Sequence, residues 1–307
     1  MDKLLITGAS GLLGSNLVYT AAQSYKVTAV THLHRLYHPG VEIIRADLTQ
    51  PGSALEIIRT SRPDVIVHAA AEANVDRCEQ DEDWANLHNQ EMAREVANAA
   101  QMTNAYLIHI STDAVFDGSK DRLSESDNVS PINVYGRSKA AGEITVRDIC
   151  PDAAIVRTNF YGWNMLDKLS LAEWFLENLE QGRACPGFED VLITPVLVND
   201  LVSSLLLLIE YHLSGIFHIG GADCVSKYQF GRTLADVGGY EIDLILPGSV
   251  GEAGLRAPRP LKLCLDSSKI CRAMDFQPPS FIAGMQRFLD LRKQGYVDSL
   301  KTMMLGE

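Results

Sequence analysis

The chain has 307 residues, 46% of them hydrophobic and 21% charged, with 39 acidic against 27 basic side chains and a formal net charge of -12. This is too apolar for a disordered chain and too poor in Gly and Pro for a fibrous one, and the length suffices for one large α/β domain or a main domain with a smaller partner. The acidity and the lack of a long Lys/Arg run argue against nucleic acid and anionic membranes as principal partners, so an anionic ligand would have to be held by locally concentrated donors.

In chain order, the first half alternates short apolar runs with amphipathic stretches. Strands are predicted at Lys3–Thr7, Lys26–Thr31, Glu42–Arg45, Asp64–His68, Tyr106–Ser111 and Ala154–Thr158, and helices at Leu12–Gln23, Ser53–Arg59, Trp84–Gln101 and Tyr135–Arg147. Such alternation builds βαβ units, and near-continuous Val/Ile/Leu strands are those covered by helices on both faces. After Arg157 the texture changes. Asn159–Lys168 is irregular and aromatic, Leu169–Glu180 reads as helix, Gly182–Thr194 as loop, and Asp200–His212 as a strongly apolar helix. Strands at Gly215–Ile219 and Ile242–Leu246, a helix at Ser226–Val237 and a Gly/Pro-rich stretch at Pro247–Pro260 complete the chain. The expected fold is therefore α/β: a Rossmann-type doubly wound parallel sheet in residues 1–158, with 194–213 packing back on it, and a smaller α/β substrate-binding lobe from 159–193 and 214–307.

The apolar start of the chain lacks the length and cleavage site of a signal peptide, and the longest apolar stretch, Leu201–Ile209, is broken by two serines and far short of the ~20 residues a membrane span needs. The six cysteines (Cys78, Cys150, Cys185, Cys224, Cys264, Cys271) show no C-x-x-C pairing. Reduced, mostly buried thiols in a cytoplasmic protein are expected, with neither a zinc site nor a disulfide framework.

Gly8-Ala9-Ser10-Gly11-Leu12-Leu13-Gly14 follows the first strand and opens the first helix. Glycines there permit a tight turn and close approach of backbone to a pyrophosphate, while free N–H groups and the helix dipole attract the anion. The second strand runs into Thr31-His32-Leu33-His34-Arg35, with no acid until Glu42. An acid there would hold the ribose 2′-hydroxyl of NAD, so NADP(H) is favoured over NAD(H), with His32 and Arg35 as the clamp; a solvated arginine in an ordinary loop is the plain alternative.

Tyr135 and Lys139 stand at i and i+4, so both leave the same side of a helix. An ammonium beside a phenol favours the phenolate, and Tyr135 could then pass a proton to a carbonyl oxygen as hydride reaches its carbon. Thr112, after Ser111 at the carboxyl end of the fifth strand, sits where open α/β sheets place their ligands and can hydrogen-bond the reacting oxygen.

Together these features resemble the short-chain dehydrogenase/reductase superfamily in its extended form, and within it the dTDP-4-dehydrorhamnose reductase group. The resemblance covers nearly the whole chain, through Ala46-Asp47-Leu48-Thr49, Arg62 to Ala71, Val75-Asp76 with Asn89, Ser111 to Gly118, Asn133 to Glu143, Val156-Arg157-Thr158, Arg259-Pro260 and Leu265-Asp266. It implies a triad of Thr112, Tyr135 and Lys139. It also implies a cofactor lined by Asp47 and Leu48 at the adenine, by Ala69, Ala70 and Ala71, and by Asn89 and Ser111. A nucleotide-sugar substrate would meet Glu72, Asn74, Thr112, Asp113, Trp163 and Arg259, the last as a phosphate partner unless it serves in a structural ion pair. Two departures bear on the sugar pocket. Ala114 replaces the group's tyrosine in T-D-Y-V-F, and Arg157-Thr158-Asn159-Phe160-Tyr161-Gly162-Trp163-Asn164 replaces R-T-S-W-V-Y, leaving Trp163 either on the sugar or in the core. Relatives form a metal-assisted dimer; a homodimer is open to this chain, but no cluster of acids marks a metal site.

The expected activity is thus NADPH-dependent hydride transfer to the 4-keto carbon of a nucleotide-linked 6-deoxyhexose. A 4,6-dehydratase or epimerase with retained NAD is disfavoured by Thr112-Asp113-Ala114 in place of T-D-E and by the acid-free second strand. A non-catalytic NADP-binding subunit, like that regulating methionine adenosyltransferase, is disfavoured by the intact triad.

Overall fold

Seven apolar segments lie side by side as one all-parallel sheet in a computed structural model that describes residues 2–275 and 277–305. They are β1 (Lys3–Thr7), β2 (Lys26–Thr31), β3 (Glu42–Arg45), β4 (Val65–His68), β5 (Tyr106–Thr112), β6 (Ala154–Thr158) and β7 (Gly215–Ile219). Their order across the sheet is β7-β6-β5-β4-β1-β2-β3. Every residue of β4, β5 and β6 is buried. The two-residue alternation of the strands divides these side chains between two cores: Leu4, Ile6, Val67 and Ile108 belong to one, Leu5, Ile66, Leu107 and Ile155 to the other. β1 pairs with β2 on one side and β4 on the other, so the strand order reverses there and a crevice opens above their carboxyl ends.

The first core does not stop at the sheet. It runs on through the helix Val198–Tyr211, which packs against Leu12–Ala21, into the ring cluster of Tyr161, Phe175, Phe230, Phe281 and Phe288. In that second region Cys185–Phe188 pairs with Ile245–Gly248, and Leu192–Ile193 lies between Val225–Ser226 and Lys262–Leu263. Among the described residues no helix is long and apolar enough to cross a membrane.

Several expectations need correcting. Gly215–Ile219 was expected in the smaller lobe, yet it is the seventh strand of the main sheet, in parallel register with β6. Gly182–Thr194 was expected as loop but carries two short strands, and of Ile242–Leu246 only the end is strand, in Ile245–Gly248. Strands of two to four residues are too short for alternation to register. The helix expected over Trp84–Gln101 is interrupted: Glu82–Asn86, a π-helical turn at Leu87–Glu91, then Met92–Thr103. Cys224 and Cys264, expected as free thiols, are disulfide-bonded with their Cα atoms 5.5 Å apart, whereas Cys78, Cys150, Cys185 and Cys271 are free.

β7 is an edge strand, and two of its outward backbone groups are occupied by side chains. The Ile216 carbonyl accepts from Lys269 Nζ (2.6 Å), the His218 N–H donates to Glu125 Oε1 (2.9 Å), and just beyond the strand the Gly220 N–H donates to Ser267 Oγ (2.9 Å).

Candidate functional site

The glycine turn sits at the carboxyl end of β1, over the crevice. Gly8 has φ +65°, and a Cβ on it would come within 2.7 Å of the Ala70 backbone; one on Gly14 would come within 2.2 Å of the Gly8 carbonyl oxygen. Only glycine lets the turn close on the loop after β4 and the helix start beneath the turn. The Gly11 N–H donates to the Gly8 carbonyl (2.9 Å), and the helix Leu12–Ala21 begins at Gly11 with no side-chain cap and no acid in its first turn. Its positive end is therefore unclaimed, as a phosphate site requires. Ser10 and Leu13 are buried beside the turn and Leu12 is half-buried; Ala69 and Ala70 line the facing loop, with Ala71 exposed. These donors and this close packing fit a dinucleotide.

His32 and Arg35 are exposed beyond β2. Arg45 joins them, its Nε donating to the His32 carbonyl at 2.9 Å. Sequence reasoning missed this cation because it followed β2 alone; parallel pairing sets Arg45 opposite Thr31 at the end of β3. Asp47 is turned onto its own loop, accepting from the Thr49 hydroxyl (2.7 Å) and Gln50 Nε2 (3.0 Å), and the Thr49 hydroxyl leads in holding its carboxyl down at about 2. Leu48 is buried.

The helix Val134–Ile149 carries Tyr135 and Lys139. Its N-cap Asn133 accepts from the Gly136 N–H (2.7 Å) and donates through Nδ2 to the Pro258 carbonyl (2.9 Å). A Cβ on Gly136 would lie 2.3 Å from the Ala114 carbonyl oxygen, so the helix presses on the segment after Thr112 and brings Tyr135 within hydrogen-bonding reach of the Thr112 hydroxyl. Thr112 Oγ1 also accepts from the Ala114 N–H (3.1 Å) and donates to Asp113 Oδ1 (3.1 Å). Burial raises the Tyr135 phenol above its ordinary value, and the Thr112 hydrogen bond only partly opposes this. Lys139 is buried, donates to the Ile110 carbonyl (2.7 Å), and is lowered by burial to about 8 against the pull of Glu143. The expected depression of the phenol by Lys139 is not found: burial raises the phenol, and the group that lowers it is Thr112. Tyr135 stands as a neutral phenol at neutral pH, which is the form a proton donor needs.

Other expected residues are committed elsewhere. Asn89, expected on the cofactor, spends its amide on the Glu72 backbone (2.9 and 3.1 Å) and Ser138 Oγ (2.9 Å), tying the loop after β4 to the Tyr/Lys helix. Ser111, likewise expected on the cofactor, donates to the buried Glu143 (2.5 Å), itself paired with Arg157 (2.7 Å). Glu72 takes the Asn74 N–H (2.9 Å) and Trp84 Nε1 (3.1 Å), and Asn74 caps the helix Val75–Gln80. Trp163 is core: its ring stacks on Phe288 at 4.2 Å and its Nε1 donates to the Phe288 carbonyl (2.8 Å), so it faces no sugar. Arg259 pairs with Asp76 (2.8 Å) and donates to the Ala257 carbonyl (2.9 Å). Asp113 lies buried beside Thr112, where desolvation pushes its carboxyl up to about 6 against hydrogen bonds from Asn159 (2.7 Å) and Thr112. Asn159 and Lys227, both near Asp113, were not anticipated, since neither lies in a motif of the first half.

Residues 2–293 match the RmlD substrate binding domain family. The chain is 31% identical over 297 residues to a dTDP-4-dehydrorhamnose reductase of Aggregatibacter actinomycetemcomitans, covering 91% of this chain and 95% of that protein. It is 32% identical over 271 residues to Agl14 of Haloferax volcanii, named for a reductase step of low-salt glycan biosynthesis, covering 86% and 90% respectively. The crystal structure of a dTDP-4-dehydrorhamnose reductase from Bacillus anthracis in complex with NADP superposes with a TM-score of 0.82 at 28% identity, over 94% of this chain and 99% of that one.

Proposed function

The chain belongs to the RmlD substrate binding domain family, and from that premise we propose that it is an NADPH-dependent reductase acting on the 4-keto group of a nucleotide-linked 6-deoxyhexose of the dTDP-4-dehydrorhamnose kind. The observation that carries this reading is a neutral phenol on a packed helix, held against a threonine hydroxyl at the carboxyl end of β5, beside a helix N-terminus with unclaimed donors. Gly8, Ser10, Gly11, Leu12, Leu13 and Gly14 would hold the pyrophosphate, and Arg35 and Arg45 bring positive charge, with His32 beside them, to where a 2′-phosphate would lie. When bound, the dinucleotide supplies the hydride.

Tyr135 donates to the substrate's keto oxygen, joined by Thr112 once its hydroxyl turns from Asp113 to the substrate, and together they fix the carbonyl and draw its electrons away from the carbon that receives the hydride. As the C=O π bond becomes an O–H bond, Tyr135 gives its proton to the oxygen and Lys139 stabilises the phenolate left behind. Residues 1–158 and 194–213, with β7, serve the cofactor; the remainder closes over the nucleotide sugar. The test is Tyr135→Phe, which should lower kcat with NADPH and dTDP-4-keto-6-deoxyhexose by about 10²–10⁴-fold while leaving NADPH affinity unchanged. Undiminished turnover would refute the mechanism. Complete absence of turnover by the unaltered protein with keto-sugar nucleotides would refute the reductase reading itself.

A further inference from the structure

The loop after β2 is anchored at both ends of an exposed run. His32, Leu33, His34 and Arg35 face solvent one after another, and the run ends at Leu36, which is buried. Its start is held by the bond from Arg45 to the His32 carbonyl. Its far end is held from a distant part of the chain. The Tyr37 N–H donates to the Met303 carbonyl (2.6 Å), and Leu36 shares one apolar core with Leu300 and Met303, both buried, of the helix Tyr296–Leu305. The Met303 carbonyl is among the last four of that helix, which have no N–H partner within it. The helix follows the smaller lobe in sequence, yet it reaches back to the loop that leaves β2.

The other end of the same helix is fastened to the helix that the glycine turn opens. The Tyr296 hydroxyl donates to Asn16 Oδ1 (2.7 Å), and its ring meets Tyr19 edge-on with centroids 5.1 Å apart. Asn16 is fully buried in Leu12–Ala21, and its Nδ2 donates to the carbonyl of Leu12, the first residue of that helix (2.7 Å), and to the Trp163 carbonyl (3.0 Å). One helix therefore grips the phosphate-binding helix at Tyr296 and the cation-bearing loop at Met303. Two turns, about 10 Å of rise, separate the two grips. Held at both points, it acts as a strut that sets the spacing between the N–H groups of the glycine turn and Arg35.

We propose that the helix Tyr296–Leu305 is a positioning element for the cofactor's adenosine 2′-phosphate, holding the loop of Arg35 at the distance from the glycine turn that a 2′-phosphorylated dinucleotide requires. A loop that must be ordered on binding loses part of the energy of its phosphate contact to conformational entropy, whereas a loop already fixed keeps it. The 5′-phosphate and adenine do not depend on that loop in the same way, so the helix bears on the 2′-phosphate alone. The assignment rests on the NADP(H) reading above, and it moves this one helix from the smaller lobe's task to the cofactor's.

Calorimetric titration of the full chain with adenosine 2′,5′-bisphosphate and with 5′-AMP, which differ in the 2′-phosphate alone, tests it with Met303→Ala, Met303→Leu and Leu36→Ala. Met303→Ala should weaken the bisphosphate about tenfold and leave 5′-AMP within about twofold of its original affinity. Met303→Leu, which keeps the volume, should bind both ligands like the unaltered protein. Leu36→Ala, made from the loop side of the same junction, should repeat the selective loss, and the double alanine variant should lose less than the sum of the two. Undiminished bisphosphate affinity in both alanine variants overturns the assignment, as does equal weakening of the two ligands, which marks a helix that serves stability only. In either case a preference for the bisphosphate that persists leaves the NADP(H) reading standing. If the unaltered protein binds the bisphosphate no more tightly than 5′-AMP, the NADP(H) reading falls and the assignment with it.

Discussion

At Tyr135 burial and a hydroxyl neighbour act on one phenol in opposite directions, and burial wins. The helical spacing of Tyr135 and Lys139 and the strand-end position of Thr112 are readable in the sequence because each is a local relation along the chain. Arg45, Asn159 and Lys227 are not, since they come near these groups only through strand pairing or from the far lobe. Lys139 carries the prediction that belongs at this scale. Burial holds its ammonium at about 8, so the charged form that would stabilise the Tyr135 phenolate is lost as pH rises through that value. The kcat/KM profile should therefore fall on its basic side with an apparent pKa near 8. A rate level up to the ordinary lysine range, about 10.4, would show that Lys139 does not control it.

Among the elements, the helix Val134–Ile149 depends on both ends of the Asn133 amide, the oxygen capping its first turn and the nitrogen fastening the loop at Pro258. Asn133→Ala should cost about 1–2 kcal/mol in stability, read as a lower denaturation midpoint, and should raise KM for the sugar nucleotide more than for NADPH, because the severed tie leads to the loop bearing Arg259. Equal effects on both KM values would mean that the tie has no part in substrate binding. Strand boundaries such as those of β1, β2, β3 and β6 follow from the sequence because the runs are apolar and end in turn residues. The π-helical turn at Leu87–Glu91 does not, because one extra residue in a turn leaves the surrounding 3.6-residue pattern almost intact. Its consequence is spatial: Asn89 faces inward and reaches both Glu72 and Ser138.

For the molecule as a whole, the α/β class was legible and the division into lobes was not. One apolar core runs from β1 to the Phe230 cluster, and β7 returns to the sheet after the second region has begun; alternation along a chain says nothing about which sheet a late strand joins. Global stability should carry the mark of Asp113. Its folded carboxyl titrates at about 6, above the unfolded value of about 3.9, so the folded state holds an extra proton in that window and this group's contribution to stability declines as pH rises through it. The Tm of Asp113→Asn relative to the original protein should accordingly climb between pH 4 and pH 7; a constant difference would contradict the raised pKa. The caps on β7 act at this scale too. With Lys269, Glu125 and Ser267 occupying backbone groups along that margin, it is a poor template for another chain's ladder. Two copies are thereby discouraged from fusing their sheets there into a continuous ribbon, the arrangement that leads to fibrils.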